Sequence, residues 1–217
     1  MTVWAVIPVK PLNRAKSRLE KVLSPDQRAA LAEMLFRQVL SVALSSNRIG
    51  GALVISRDTR AIGIARDLGA KTIQESGQSD LNPALERATQ VLTSWRASAM
   101  LILPADLPLV HVDDINAMVD AGRDGESVVI ATDRHEDGTN AMFVRPPGLI
   151  QYTYGKESYR KHVLQARAAG AKVTIYQSER LQLDIDEPTD LEAYNEWVMA
   201  QSDMQSHLRP FLPLTTS

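Results

Sequence analysis

The sequence predicts an α/β fold, a single domain with a mostly parallel sheet sandwiched by helices. Three observations carry this reading. Short apolar runs rich in β-branched residues alternate with stretches of helical periodicity. The runs are continuously hydrophobic rather than alternating, as strands buried on both faces are. No repeat or low-complexity linker interrupts them, so the 217 residues read as one domain over 1–200 and a tail over 201–217.

The elements follow in order. "VWAVIPV" (3–9) is the first strand. A helix begins beyond it, where Ser24 caps, Pro25 suits the first helical position and Gln27 completes a capping box. Leu31, Leu35, Val39 and Val42 form its apolar stripe. "ALVIS" (52–56) is the second strand, and a helix from Asp58 to Leu68 ends at Gly69, a good terminator. A helix over 82–95 leads to "AMLIL" (99–103). A helix over 112–121 leads to "SVVIAT" (127–132), with His111 in a structural role at the helix start. A helix over 158–169 leads to "KVTIY" (172–176). Then "LQLDIDEPTDL" reads as a strand with Asp184 and Asp186 on one face, before a final helix over 188–200. The end, with "RPFLPLTTS", reads as a loose tail or docking arm.

Composition narrows the function. The net charge of -2 and pI of about 6.1 offer no basic excess for nucleic acid. With no cysteine, disulfides, thiolate catalysis and cysteine metal sites are excluded together. No apolar run approaches the roughly 18 residues of a membrane span. Met1 leads straight into a strand without a signal-like segment, so a cytoplasmic location is expected.

In open α/β sheets, ligands bind beyond the carboxyl ends of the strands. Three groups of residues fall there. After the first strand comes "KPLNRAKSRL", with Lys10, Arg14, Lys16 and Arg18. A solvated surface face is the plain alternative, but the position favours a polyphosphate site. The loop has no glycine, so it is neither a Walker loop nor a dinucleotide fingerprint. The second group is acidic: Asp106 in "LPADLPLV", with Asp184 and Asp186. Each alone could cap a helix or pair with a cation; together, facing a cationic loop, they suit Mg²⁺. The third is "DGTN" (137–140) with "YGKESYRKHV" (154–163). There Thr139, Gly155 and Ser158 offer turns and a helix start for a second anion.

These motifs carry a resemblance. "IPVKPLNRAKSRL", "LVISRD", "LNPAL", "LPADLPLV", "GTNAM", "GKESYRKH" and "LDIDEPTDL" stand in the order seen in the guanylyltransferases of coenzyme F-420 biosynthesis. Over about residues 3 to 195 the chain resembles the 2-phospho-L-lactate or phosphoenolpyruvate guanylyltransferases. These are related to the molybdenum-cofactor guanylyltransferase type of nucleotidyltransferase fold. The resemblance implies a Rossmann-like, nucleotide-diphospho-sugar-transferase-like domain. It implies GMP transfer from GTP to a phosphorylated three-carbon acid, with release of pyrophosphate. By the same resemblance Asp106, Asp184 and Asp186 hold Mg²⁺, while Thr139, Gly155 and Ser158 bind the acid. Lys16 and Arg18 lie along the triphosphate as surface cations, and Pro8, Lys10, Asn82 and Asp106 surround the nucleotide. Lys16, Arg18 and Asp106 are the catalytic candidates. One departure is Pro11 and Asn13 in a first loop that is glycine-rich in the molybdopterin and sugar-phosphate enzymes.

Two other enzyme classes are compatible. One is a nucleotidyltransferase for a sugar phosphate or molybdopterin-like acceptor. The other is a metal-dependent glycosyltransferase, for which an Asp-x-Asp is expected where this chain has Ala105-Asp106-Leu107. A non-enzymatic binding module would not need three acids facing a cationic loop. The sequence leaves the particular acid open, and the oligomeric state too, a homodimer included.

Overall fold

The strand–helix alternation becomes one sheet in the structure, a computed structural model that describes residues 2–77 and 80–200. The expected tail beyond 200 lies outside the described residues. Among them seven strands pair: β1 Val3–Val9, β2 Gly51–Ser56, β3 Lys71–Gln74, β4 Ala99–Ile102, β5 Ser127–Thr132, β6 Thr139–Arg145 and β7 Lys172–Ile175. Their order is β3-β2-β1-β4-β6-β5-β7. β1 pairs in parallel with β2 and β4, while β6 runs antiparallel to both β4 and β5. The sheet is thus mostly parallel, as predicted.

The helices are α1 Pro25–Ser45, α2 Thr59–Asp67, α3 Leu81–Ser94, α4 Val112–Ala121, α5 Ser158–Ala168, the single turn α6 Glu179–Gln182, and α7 Pro188–Ala200. Side-chain alternation along β1 separates two apolar layers. Val3, Ala5, Ile7 and Val9 pack with Phe36 and Val39 of α1, Ile64 of α2 and Met118 of α4. On the other face, Val6 packs with Leu85 and Leu92 of α3 and Ala166 of α5. A third cluster joins Leu31 and Leu35 of α1 to Leu183, Ile185 and Tyr194 of α7, so α7 closes the sheet's acidic margin.

The local signals hold where they were strong. Ser24 and Gln27 form the expected capping box on α1. Gly69 sits at φ +88 just past α2, a left-handed conformation that glycine adopts without strain. His111 caps α4, its Nδ1 accepting from the Asp113 amide, so its role is structural as read.

Three local expectations change. "KTIQ" and "TNAMFVR" are strands β3 and β6, additional to the five expected apolar strands. The stretch 183–186 is no strand. It runs alongside the Asp106 turn, tied by the Ile185 amide donating to the Asp106 carbonyl at 3.2 Å.

Candidate active site

β1 lies between β2 and β4, and the connections leave it on opposite sides of the sheet. A crevice therefore opens at its carboxyl end. A cleft of about 270 Å³ occupies this place, lined by Pro8, Lys10, Lys16, Asp106 and Asp186 among others. Five of the residues singled out in the sequence meet there.

The basic loop is held rigidly. It folds into two 3-10 turns, Leu12–Arg14 and Ser17–Leu19, whose Leu12 and Leu19 are buried. Asp58 accepts from the Leu12 amide at 2.7 Å and also caps α2. Between the turns, Lys16 adopts φ 56, ψ 37, a left-handed conformation that non-glycine residues seldom take. Its ammonium reaches Asp106 Oδ2 at 2.7 Å and Asp186 Oδ1 at 3.2 Å. The Lys16 side chain is only 6% exposed, so it is not the surface cation expected. The cause is this pairing, which draws the ammonium inward over two acids. Burial alone would lower its pKa, but the charges and hydrogen bonds of Asp106 and Asp186 outweigh that and raise it. Arg18 does remain exposed, with one guanidinium nitrogen 3.7 Å from Asp186 and 3.7 Å from Glu187.

Two segments bring the three acids toward this ammonium: the turn after β4 and the stretch 183–186. Asp106 stands in the turn after β4. Asp186 is placed by Asp190, which accepts from the backbone amides of Asp186 and Glu187 at 3.0 and 2.7 Å. Asp184 accepts from Asn140 Nδ2 at 3.1 Å. Burial first, then the charge of Asp106, push the Asp184 carboxyl up to about 6. Among the described residues no three metal-ligating side chains converge into a ready-made cage. The donors are nevertheless hard carboxylate oxygens that repel one another. They fit a cation whose remaining ligands are phosphate and water oxygens, as is usual for Mg²⁺.

Asn82 uses both ends of its amide on one residue: Oδ1 accepts from the Tyr154 amide at 2.8 Å and Nδ2 donates to the Tyr154 carbonyl at 3.3 Å. It therefore fixes Tyr154, itself a wall of the cleft. Behind that wall lie Thr139 and Ser158, both buried, with Ser158 Oγ 3.3 Å from Thr139 Oγ1. Thr139 is the first residue of β6, not a loop tip. Gly155 follows Tyr154 in the chain at φ +118, and a Cβ built there would meet nothing within 4 Å. The structure thus separates the candidates into a cleft set and a group beneath Tyr154.

Arg57, directly after β2 where the strand-end rule looks for site residues, also lines the cleft; its guanidinium donates to the Gly77 carbonyl at 2.7 Å. Sequence reasoning passed over other cleft residues: Glu75, Asp80 and Tyr154. Glu75 follows β3, whose "KTIQ" has no apolar run to announce it. The α6 turn was missed as well. Arg180 on it holds the fully buried Asp114 with two bonds of 2.7 and 2.8 Å, which anchors the chain leading to Asp184.

The chain is similar over most of its length to proteins of known name. A phosphoenolpyruvate guanylyltransferase from Rubrobacter xylanophilus is 38% identical over 191 residues, covering 88% of this chain and 92% of that protein. A 2-phospho-L-lactate guanylyltransferase from Methanothermobacter thermautotrophicus is 33% identical over 191 residues, covering 88% of this chain and 83% of that one. The solved structure of CMP:2-keto-3-deoxy-manno-octonic acid synthetase complexed with CTP matches with a TM-score of 0.63 at 15% identity, over 93% of this chain and 100% of that chain. That likeness shows the nucleotidyltransferase-like fold. The model of the family described as "Guanylyl transferase CofC like" matches residues 3–210, and the chain belongs to that family.

Proposed function

We propose that this protein transfers GMP from GTP to 2-phospho-L-lactate or phosphoenolpyruvate, releasing pyrophosphate, as a step of coenzyme F-420 biosynthesis. The observation that carries the reading is the buried Lys16 ammonium held between Asp106 and Asp186 at the carboxyl end of the central strand. A triphosphate entering the cleft meets a fixed cation and two acids at one point. The names of the similar guanylyltransferases support the nucleotide and the acid.

The reaction is a displacement at phosphorus. An oxygen of the acid's phosphate forms a bond to the α-phosphorus of GTP, and the bond to the β-phosphate bridging oxygen breaks. The electron pair leaves with pyrophosphate. A phosphate is already ionised near neutral pH, so no side chain has to remove a proton. Positioning and charge neutralisation then do most of the work. Lys16, with its raised pKa, supplies a permanent positive charge at the triphosphate. Arg18, exposed at the rim, adds a second. Pro8 and Lys10 at the end of β1 border the nucleotide, and Asn82 holds Tyr154 against it. Asp106, Asp184 and Asp186 would hold Mg²⁺, which when bound supplies further charge neutralisation at the phosphates. Thr139, Gly155 and Ser158 form the acid's anion site.

The test is pyrophosphate release from GTP with each acid in turn, with ATP, CTP and a sugar phosphate as controls. Release that requires GTP and one of the two acids is expected. Release only with a sugar phosphate, or none with either acid, would reject the reading.

A further inference from the structure

Among the described residues, His162 of α5 is the one fully buried histidine, and neither the cleft nor the displacement chemistry uses it. Its ring nitrogens have different partners. The Thr153 amide donates to Nε2 at 3.0 Å, which requires a bare, unprotonated Nε2. A neutral ring must then carry its hydrogen on Nδ1, which lies 3.0 Å from Thr139 Oγ1. Burial, then the nearby Lys161 charge, lower the ring's pKa to about 4, so it is neutral at physiological pH. The ring is also held in place sterically: Tyr154 packs edge-on against it with centroids 4.9 Å apart. Gln165, one turn further along α5, donates to Thr153 Oγ1 at 3.2 Å and keeps that strip of backbone against the helix.

A count of hydrogens shows what this fixed tautomer does. His162 Nδ1, the Thr139 hydroxyl and the Ser158 hydroxyl bring one hydrogen each to a chain with only two internal contacts, 3.0 and 3.3 Å long. Because Nδ1–H can only donate, Thr139 Oγ1 must accept it. Whichever hydroxyl donates across the second contact, one hydroxyl hydrogen stays without an acceptor in the chain. A buried donor left over in this way is costly unless a ligand supplies the acceptor. The opposite tautomer would absorb that hydrogen, because a bare Nδ1 would accept from Thr139.

We propose that His162 is a positioning residue that, by presenting Nδ1–H to Thr139, frees one hydroxyl hydrogen of the Thr139–Ser158 pair to bind an oxygen of the phosphorylated acid. The role rests on the acid site proposed above. The group it serves is an anionic oxygen, phosphate or carboxylate, with no hydrogen of its own to offer. At Gly155, three residues before Ser158, a Cβ would meet nothing within 4 Å, so the backbone leading into α5 is open on that side.

Two measurements test this. Nitrogen-15 NMR of the wild-type protein should show His162 neutral near pH 7, with hydrogen on Nδ1 and none on Nε2. A protonated Nε2 overturns the proposal without any variant. Steady-state kinetics of His162→Leu, His162→Asn and Thr139→Val then read the function. His162→Leu should raise the KM for the acid about tenfold or more while the GTP KM stays within about twofold. His162→Asn keeps a donor near the Nδ1 position and should recover much of the loss, which general loosening of α5 would not allow. If Thr139→Val leaves the acid KM unchanged, the acid site itself is wrong and the proposal falls with it. If Thr139→Val raises that KM but His162→Leu does not, only the role of His162 is rejected. An equal rise in both KM values for His162→Leu, without recovery in His162→Asn, also rejects it.

Discussion

Lys16 shows how much one side chain can carry. Its left-handed backbone and its reach beneath the loop make sense only through the two carboxylates that it touches. Lys16→Met keeps the aliphatic stem but removes the ammonium shared by Asp106 and Asp186, leaving Asp186 only the exposed Arg18 at 3.7 Å. Stripping one partner from a sealed ion pair costs about 3–5 kcal/mol. Here the acid side chains are 27% and 46% exposed and can rehydrate, so roughly 1–3 kcal/mol is expected. Turnover should fall at least about a hundredfold, as for loss of a main electrostatic stabiliser. Urea unfolding with steady-state kinetics checks both. A variant as stable as wild type would mean that the ammonium is not held where the structure puts it. Surface placement, which the sequence suggests for this lysine, would have left stability unchanged.

At the scale of elements, β6 matters most for the site. It is the antiparallel strand between β4 and β5, and its Asn140 donates to the Leu181 carbonyl at 2.9 Å as well as to Asp184. Asn140→Ala would strand that carbonyl and free the segment toward Asp186. A loss of about 1–3 kcal/mol is expected, with faster amide exchange over 181–186 and unchanged exchange in β1. Uniform acceleration across the sheet would contradict this account of the segment. β6 was also the hardest element to read from sequence. Its "AMFV" run is short, and the preceding "DGTN" signals a turn more strongly than the run signals a strand. β3 hides for another reason: as an edge strand with an exposed Lys71 and Gln74, it needs no apolar run. By contrast, β1, β2, β4, β5 and β7 announce themselves because both their faces are covered or their runs are β-branched. Lys10, Lys16 and Asp106 were legible as cleft residues because the sheet rule fixes where a strand's carboxyl end must point. The inward turn of Lys16 was not, since it depends on Asp186 from a segment 170 positions away.

For the whole molecule, the buried His162 and the half-buried Asp184 tie stability to pH in opposite directions. The unfolded chain takes up a proton at His162 near pH 6.5, while the folded protein resists until about 4. The stability contributed by neutral His162 is therefore complete above pH 6.5 and lost as pH falls through that window, by up to about 3 kcal/mol. Asp184 acts the other way. Its folded carboxyl protonates near pH 6, before the unfolded one does near 3.8, so the fold gains stability as pH falls between those values. The net profile of the wild type should be shallow because the two partly cancel. Urea unfolding at about pH 7 and about pH 4.5 separates them. Asp184→Asn should lose stability more steeply on acidification than wild type, and His162→Asn should lose less. Identical slopes in all three proteins would show that neither group is buried as described.

The packing of α7 has an optical consequence. The sequence contains three tryptophans. Trp4 and Trp95 face each other with centroids 4.9 Å apart near the amino ends of β1 and β4, at the end of the sheet opposite the cleft. Their emission reports the integrity of the sheet and should ignore substrate. Trp197 packs in the cluster that holds Leu183 and Ile185, the residues alternating with Asp184 and Asp186. Any ligand that draws those acids inward shifts the wall on which this indole rests. One chain thus carries two fluorescent reporters, one for the folded state and one for the loaded cleft, without a label being added.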